Sequence, residues 1–310
     1  MGLRTMVELE NLNPELYRNG VTVEEAYDIC RDISLEHYEN FTVVSRMTPA
    51  EKRKYIYALY AYSRYTDDLG DELEEGNLEA LDRWEEELMG IFGGDEPRNA
   101  IALALRDTVE KHSLTAEPFR KLIEANRMDQ RNKSYESYED LLEYCDHSAN
   151  PVGRVFLGIF GYNDEKRNAL SDKTCTGLQL TNFWQDVNRD EKMGRVYLPV
   201  EDMEKFGYSR EKLEDRVYND EFVELMKFEV SRARNLLERG LDLVPLLDSR
   251  IKMDVRLFNQ GGLRILDKIE EEDYDVLHTR PTLSKGEKVW LFLSNLVKRP
   301  VRRFVDEKPA

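Results

Sequence analysis

Through most of this chain apolar side chains return every three to four residues with few interruptions, and that spacing restricts the fold to helices. Over residues 50–75, Ile56, Leu59, Tyr60 and Ser63 share one face before Gly76. Residues 77–92 carry Leu81, Trp84, Leu88 and Ile91 on a second stripe that stops at Gly93-Gly94. Further helical stretches cover 98–112, 117–126, 137–160, 165–192, 200–206, 219–247, 251–272 and 283–297. Only 17 glycines and 10 prolines punctuate the 310 residues, too few for a succession of short strands and tight turns. The expectation is an all-α fold. No fixed-period repeat, low-complexity tract or Ser/Gly linker divides it, so one domain over residues 1–310 is expected.

Composition limits the function classes. With 41% hydrophobic and 35% charged residues, the chain reads as an ordinary globule, long enough to enclose a cavity. The longest apolar runs, 156–160 and 290–297, fall well short of the roughly 20 residues that span a bilayer. The start, MGLRTMVELE, lacks the basic-then-apolar order of a signal peptide, and Met6 stands where a myristoylation motif needs Ser or Thr, so a cytoplasmic protein is expected. Cys30, Cys145 and Cys175 are odd in number and far apart, which suits reduced thiols rather than a disulfide framework or a CxxC site. A net charge of -17 repels phosphate backbones and argues against a nucleic-acid partner.

The chemistry concentrates on two stripes. Tyr60, Arg64, Asp67 and Asp71 are spaced 4, 3 and 4 apart, which stacks them on one helical face with Asp68 alongside. Gln179, Asn182, Asp186 and Asp190 repeat the pattern at 3, 4 and 4. Both stripes are framed by apolar and aromatic residues, where carboxylates need a cation or donors to remain ionised. Hard oxygen ligands without His or Cys suit magnesium, which bridges a few carboxylates to substrate phosphates. A solvated acidic face is the plain alternative for either aspartate group alone. No Walker sequence or GxGxxG turn follows a strand, so a nucleotide mechanism is disfavoured.

The segments YALYAYSRYTDDLGDE (57–72) and LQLTNFWQDVNRDEKMGRVYLP (178–199) resemble the two signature regions of the squalene and phytoene synthase family. The likeness runs from Ala26 to about Arg299, through LLEYCDHSANPVG (141–153) and VLHTRPTLS (276–284). It implies an isoprenoid synthase-type helical bundle around a central cavity, with a core over about 24–299. It also implies that Asp67, Asp68, Asp71, Asp186 and Asp190 hold several magnesium ions bridging an isoprenoid diphosphate. Arg64 would contact phosphate, Gln179 and Asn182 would line the second motif, and Tyr144 would lie near the reacting carbons. Without the resemblance, Tyr144 reads as a core tyrosine.

Three departures resemble one branch, the hydroxysqualene synthases of bacterial hopanoid biosynthesis: HYENF (37–41), SANPVG (148–153), and Gln185 where most members have arginine. The branch implies a carbon–oxygen lyase that ionises presqualene diphosphate and lets water capture the cation, without NADPH and alongside other hopanoid-pathway enzymes. His37, Tyr38 and Asn40 are then candidates for orienting that water, or else they satisfy core hydrogen bonds. Gln185 leaves one positive charge fewer near the diphosphate. The rival within the family is a head-to-head prenyltransferase joining two farnesyl or geranylgeranyl diphosphates. A rival of another class is a non-catalytic subunit of an isoprenoid complex.

Arg195 and Tyr197 follow the second motif in a segment read either as a lid over the diphosphate or as simple turn structure. The late stretch KVWLFLSNLVKRPVRRF (288–304) pairs an apolar face with Lys298, Arg299, Arg302 and Arg303. It suits a peripheral contact with the inner face of a membrane, or a helix packed on the core with a basic end.

Overall fold

The computed structural model describes residues 14–17, 20–36, 48–71, 73, 75–249, 251–284, 286–287 and 291. Its helices are α1 (Val23–Glu36), α2 (Ala50–Asp71), α3 (Asn77–Gly93), α4 (Ala100–His112), α5 (Glu117–Arg131) and α6 (Tyr138–Ser148). They continue with α7 (Asn150–Ile159), α8 (Glu165–Lys192), α9 (Val200–Lys205), α10 (Arg210–Glu214), α11 (Asp220–Gly240) and α12 (Lys252–Glu271). Among the described residues there is no strand, only an isolated bridge between Ser134 and Val196. The all-α expectation holds.

Local chemistry explains the boundaries. Asn99, Asp164 and Asn219 accept hydrogen bonds from the backbone N–H three residues on and so start α4, α8 and α11. Ser137 and Asp140 make a reciprocal capping box at the start of α6. The stretch 137–160, read from its periodicity as one helix, is two. Pro151 lacks the N–H that a continuous helix would use and crowds the preceding turn, so the chain breaks at Ala149. Helix α1 and the five-residue α10 were not anticipated, and the stretch 219–247 ends as α-helix at Gly240 before a 3₁₀ turn, Leu241–Leu246.

The core has two parts. One gathers α1 to α4, the start of α5, α7, the Leu241–Leu246 turn and the beginning of α12, around Tyr62, Leu81, Ile101 and Phe119. The other gathers α6, the second half of α8 and α9 to α12, around Trp184, Phe222, Met226 and Leu266. Helix α8 packs most extensively on α11. A Cβ on Gly177 would sit 2.9 Å from the Leu237 side chain, so only glycine allows this approach. All three cysteines are free, with Cys30 and Cys145 buried. No described helix is long and apolar enough to cross a membrane. His37, Tyr38, Asn40 and nearly all of 288–304 lie outside the described residues.

Candidate active site

A cavity of about 930 Å³ lies between α2, α7, α8 and α12. Ile56, Leu59, Val152, Phe156, Leu157 and Phe258 give it a long apolar wall. Tyr60, Arg64, Asp67, Gln179, Asn182 and Asp186, six of the residues singled out by spacing, line the same cavity. On α2 and α8 alike the charged positions follow the apolar ones in chain order. From Ile56 to Asp67 the wall of α2 alone runs about 16 Å at 1.5 Å per residue. The ends of the two helices are adjacent, because Arg195, just past α8, is paired with Asp71 at the end of α2.

Arginines hold three of the five aspartates. Arg64 pairs with Asp68 at 2.7 Å, one helical turn along. Arg195 donates to Asp71. Arg280, from the segment after α12, grips Asp186 through Nε and Nη2, at 2.5 and 2.8 Å, a planar bidentate pair that only a guanidinium makes. The other two aspartates are under strain. Cavity solvent reaches Asp67 on one side, but the surrounding protein desolvates it and pushes its carboxyl up to about 7; Asp71 and Asp68 add to the rise, and the Asn126 amide (3.1 Å) and Arg64 oppose it. Asp190 is likewise raised to about 7, by burial first and Asp186 second. Gly70 allows the Asn126 contact, since a Cβ there would come within 2.4 Å of the Asn126 oxygen.

Two site expectations change. Gln185 does not reach the cavity: it is buried, and its side-chain amide donates to the Pro281 carbonyl, fixing the peptide next to Arg280. Tyr144 is also buried and is not among the residues lining the cavity; its hydroxyl donates to Asp129 at 2.7 Å. Tyr197 donates to the other Asp129 oxygen at 3.4 Å and stacks on Phe183 with ring centroids 3.8 Å apart. Val196 donates its N–H to the Lys133 carbonyl at 2.8 Å. The Arg195–Tyr197 segment is thus held at three points, directly after the Met193–Gly194 turn.

Spacing alone did not reveal Asp129, Asn126, Arg189 or Arg280. Asp129 and Asn126 come from α5, which carries no aspartate motif, and Arg280 sits in a segment that matched the family without a role attached. Arg189 follows Asp186 by three residues and was readable as part of that face.

Among the described residues no three carboxylate, histidine or cysteine side chains converge into a ready cage for a metal. The donor set nevertheless fits magnesium, which uses one or two carboxylates together with substrate phosphates rather than an all-protein cage. Asp67 and Asp190, raised toward neutrality by neighbouring carboxylates and burial, are the groups a dication would relieve.

A helical bundle enclosing an elongated cavity, apolar along most of its wall and edged by opposed aspartates and arginines, is an isoprenoid synthase-type fold. The chain belongs to the squalene/phytoene synthase family, whose model matches residues 35–287. It is 36% identical over 276 residues to a 15-cis-phytoene synthase of Synechocystis, covering 84% of this chain and 81% of that protein. A crystal structure described as squalene synthase HpnC from Alicyclobacillus acidocaldarius is 42% identical, with a TM-score of 0.78, covering 82% of this chain and 97% of its own. A ligand-bound dehydrosqualene synthase is 26% identical with a TM-score of 0.81, covering 88% and 95%.

Proposed function

We propose that this chain is a magnesium-dependent head-to-head prenyltransferase that joins two isoprenoid diphosphates, farnesyl or geranylgeranyl, with loss of diphosphate. The observation that carries this reading is the cavity itself: Asp67 and Asp186 face it from two helices beside three arginines, and a long apolar wall accommodates hydrocarbon. Its likeness to phytoene and squalene synthases across more than four-fifths of the chain supports the same reading. Asp67, Asp68, Asp71, Asp186 and Asp190 are the residues that would hold the metal. Magnesium, when bound, offsets the charge that develops on the departing diphosphate. Arg64 and Arg280 add planar donors for phosphate oxygens, and Tyr60 turns an aromatic ring toward a cavity in which a carbocation forms.

The lyase reading, conversion of presqualene diphosphate to hydroxysqualene, is favoured by one observation. Ser148, the first residue of SANPVG, lines the cavity, and its hydroxyl is buried without a hydrogen-bond partner among the described residues. It is thus a polar group beside the cavity whose hydrogen-bonding capacity is unmet, one that a water admitted next to it would satisfy. Purified protein incubated with Mg2+ and no NADPH, separately with farnesyl, geranylgeranyl and presqualene diphosphates, distinguishes the readings by product mass. Coupling of either allylic diphosphate is the expected result. Turnover of presqualene diphosphate alone, giving an alcohol, replaces the first reading by the second, and no diphosphate release from any substrate leaves the non-catalytic subunit.

The raised carboxyls give the metal step a pH signature. Asp67 and Asp190 hold protons more tightly in the folded metal-free protein than in the unfolded chain, so their contribution to stability is fully present below about pH 4 and is lost as pH rises through about 7. A dication must displace those protons. Magnesium affinity is therefore expected to strengthen between about pH 6 and pH 8, with proton release visible by calorimetry in buffers of different ionisation heat. Affinity independent of pH over that interval would mean that neither carboxylate both holds a proton there and binds the metal.

A further inference from the structure

We propose that Arg189 makes the first contact with the diphosphate group of an incoming substrate. Three arginines line the cavity, Arg64, Arg189 and Arg280. Two are already committed, Arg64 to Asp68 and Arg280 to Asp186. Arg189 is exposed to solvent and forms no salt bridge among the described residues. Its place on α8 is suited to the task. It lies seven residues, two helical turns, beyond Asn182 and so continues the same polar stripe; from Asp186 it is one turn, about 4.5 Å along the axis. Gln185, four residues earlier on α8, is spent on the Pro281 carbonyl.

In an acidic protein with a net charge of -17, a dianion or trianion approaching this mouth meets general repulsion and carboxylates on both helices. An uncommitted guanidinium at the edge offers bidentate donors before any existing ion pair has to open. Its effect therefore falls mainly on binding. Arg64 and Arg280, which must leave their aspartates to reach phosphate, act later, when the metal has taken those carboxylates. This inference rests on the diphosphate reading of the cavity and assigns that reading its point of entry.

The test uses the full-length chain and inorganic diphosphate with Mg2+ as the probe, titrated calorimetrically into wild type, Arg189→Gln and Arg189→Lys. Arg189→Gln is expected to weaken diphosphate binding roughly tenfold or more, the size of a lost charge-assisted hydrogen bond. It should raise KM for the isoprenoid diphosphate by a similar factor and change kcat less. Arg189→Lys should recover most of the binding, because it keeps the charge. Since the side chain is exposed, melting temperatures should coincide, which separates lost contact from lost fold. Wild-type binding of magnesium diphosphate with equal binding by Arg189→Gln overturns the inference and leaves the diphosphate reading standing. A wild type that binds no magnesium diphosphate overturns both.

Discussion

Asp67→Asn is expected to release diphosphate at no more than about a thousandth of the wild-type rate, and Asp186→Asn to behave alike, since metal stabilisation of a leaving group is worth several kcal/mol and each 1.36 kcal/mol is tenfold. The two residues face one cavity from different helices, so each substitution removes one side of the same clamp. Asparagine preserves shape and keeps an oxygen, but removes the charge that would hold a dication. Asp67→Asn should also relieve a desolvated, crowded carboxylate, so the variant should melt no lower than wild type. Loss of turnover with unchanged melting is the result that identifies a functional charge. Turnover of isoprenoid diphosphate at the wild-type rate by either variant would exclude the proposed metal site.

The second large effect is on stability. Trp184→Ala is expected to cost about 3 to 5 kcal/mol, the usual range for deleting a buried large aromatic side chain. Trp184 is fully buried in the second part of the core and meets Phe183 edge-on, with centroids 6.4 Å apart. It lies between Asn182 and Asp186 in sequence but points away from them, into the packing of α8. At roughly 2 to 4 °C per kcal/mol for a chain of this order of size, the thermal midpoint should fall by about 10 °C. Trp184→Phe, which keeps most of the volume, should lose far less. An unchanged midpoint in Trp184→Ala would mean that the packing of α8 does not depend on this ring.

How much of this was legible beforehand follows from what kind of interaction each residue makes. The stripes through Tyr60, Arg64 and Asp67 and through Gln179, Asn182 and Asp186 could be read because helical period is local, and all six line the cavity. The Ala149 break was visible in principle through Pro151, but the apolar period continued across it and prevailed in the reading. Roles fixed by tertiary contact were not legible. Gln185 precedes Asp186 yet is turned toward Pro281, 96 residues on, and Arg280 reaches Asp186 across 94. Tyr144 could be placed near the site by resemblance, whereas its bond to Asp129, which sets the hydroxyl's direction, belongs to the packing of α5 against α6. The periodicity of α2 and α8 says which residues share a face; only the neighbours say what occupies that face's charges.

Those occupied charges have a thermodynamic consequence. Because Arg64, Arg195 and Arg280 already sit on Asp68, Asp71 and Asp186, a metal that took one of these three carboxylates by itself would leave a guanidinium without an anion. A diphosphate that drew in one of these three guanidinium groups by itself would leave a carboxylate without a cation. Arriving together, each supplies the partner that the other strands. On the proposed reading the pairs would couple the two ligands: metal would raise the affinity for diphosphate, and linkage obliges diphosphate to raise the affinity for metal by the same factor. On the same reading, once the product no longer carries a diphosphate, the arginines and aspartates would re-form their pairs and return the site unaided to its starting state.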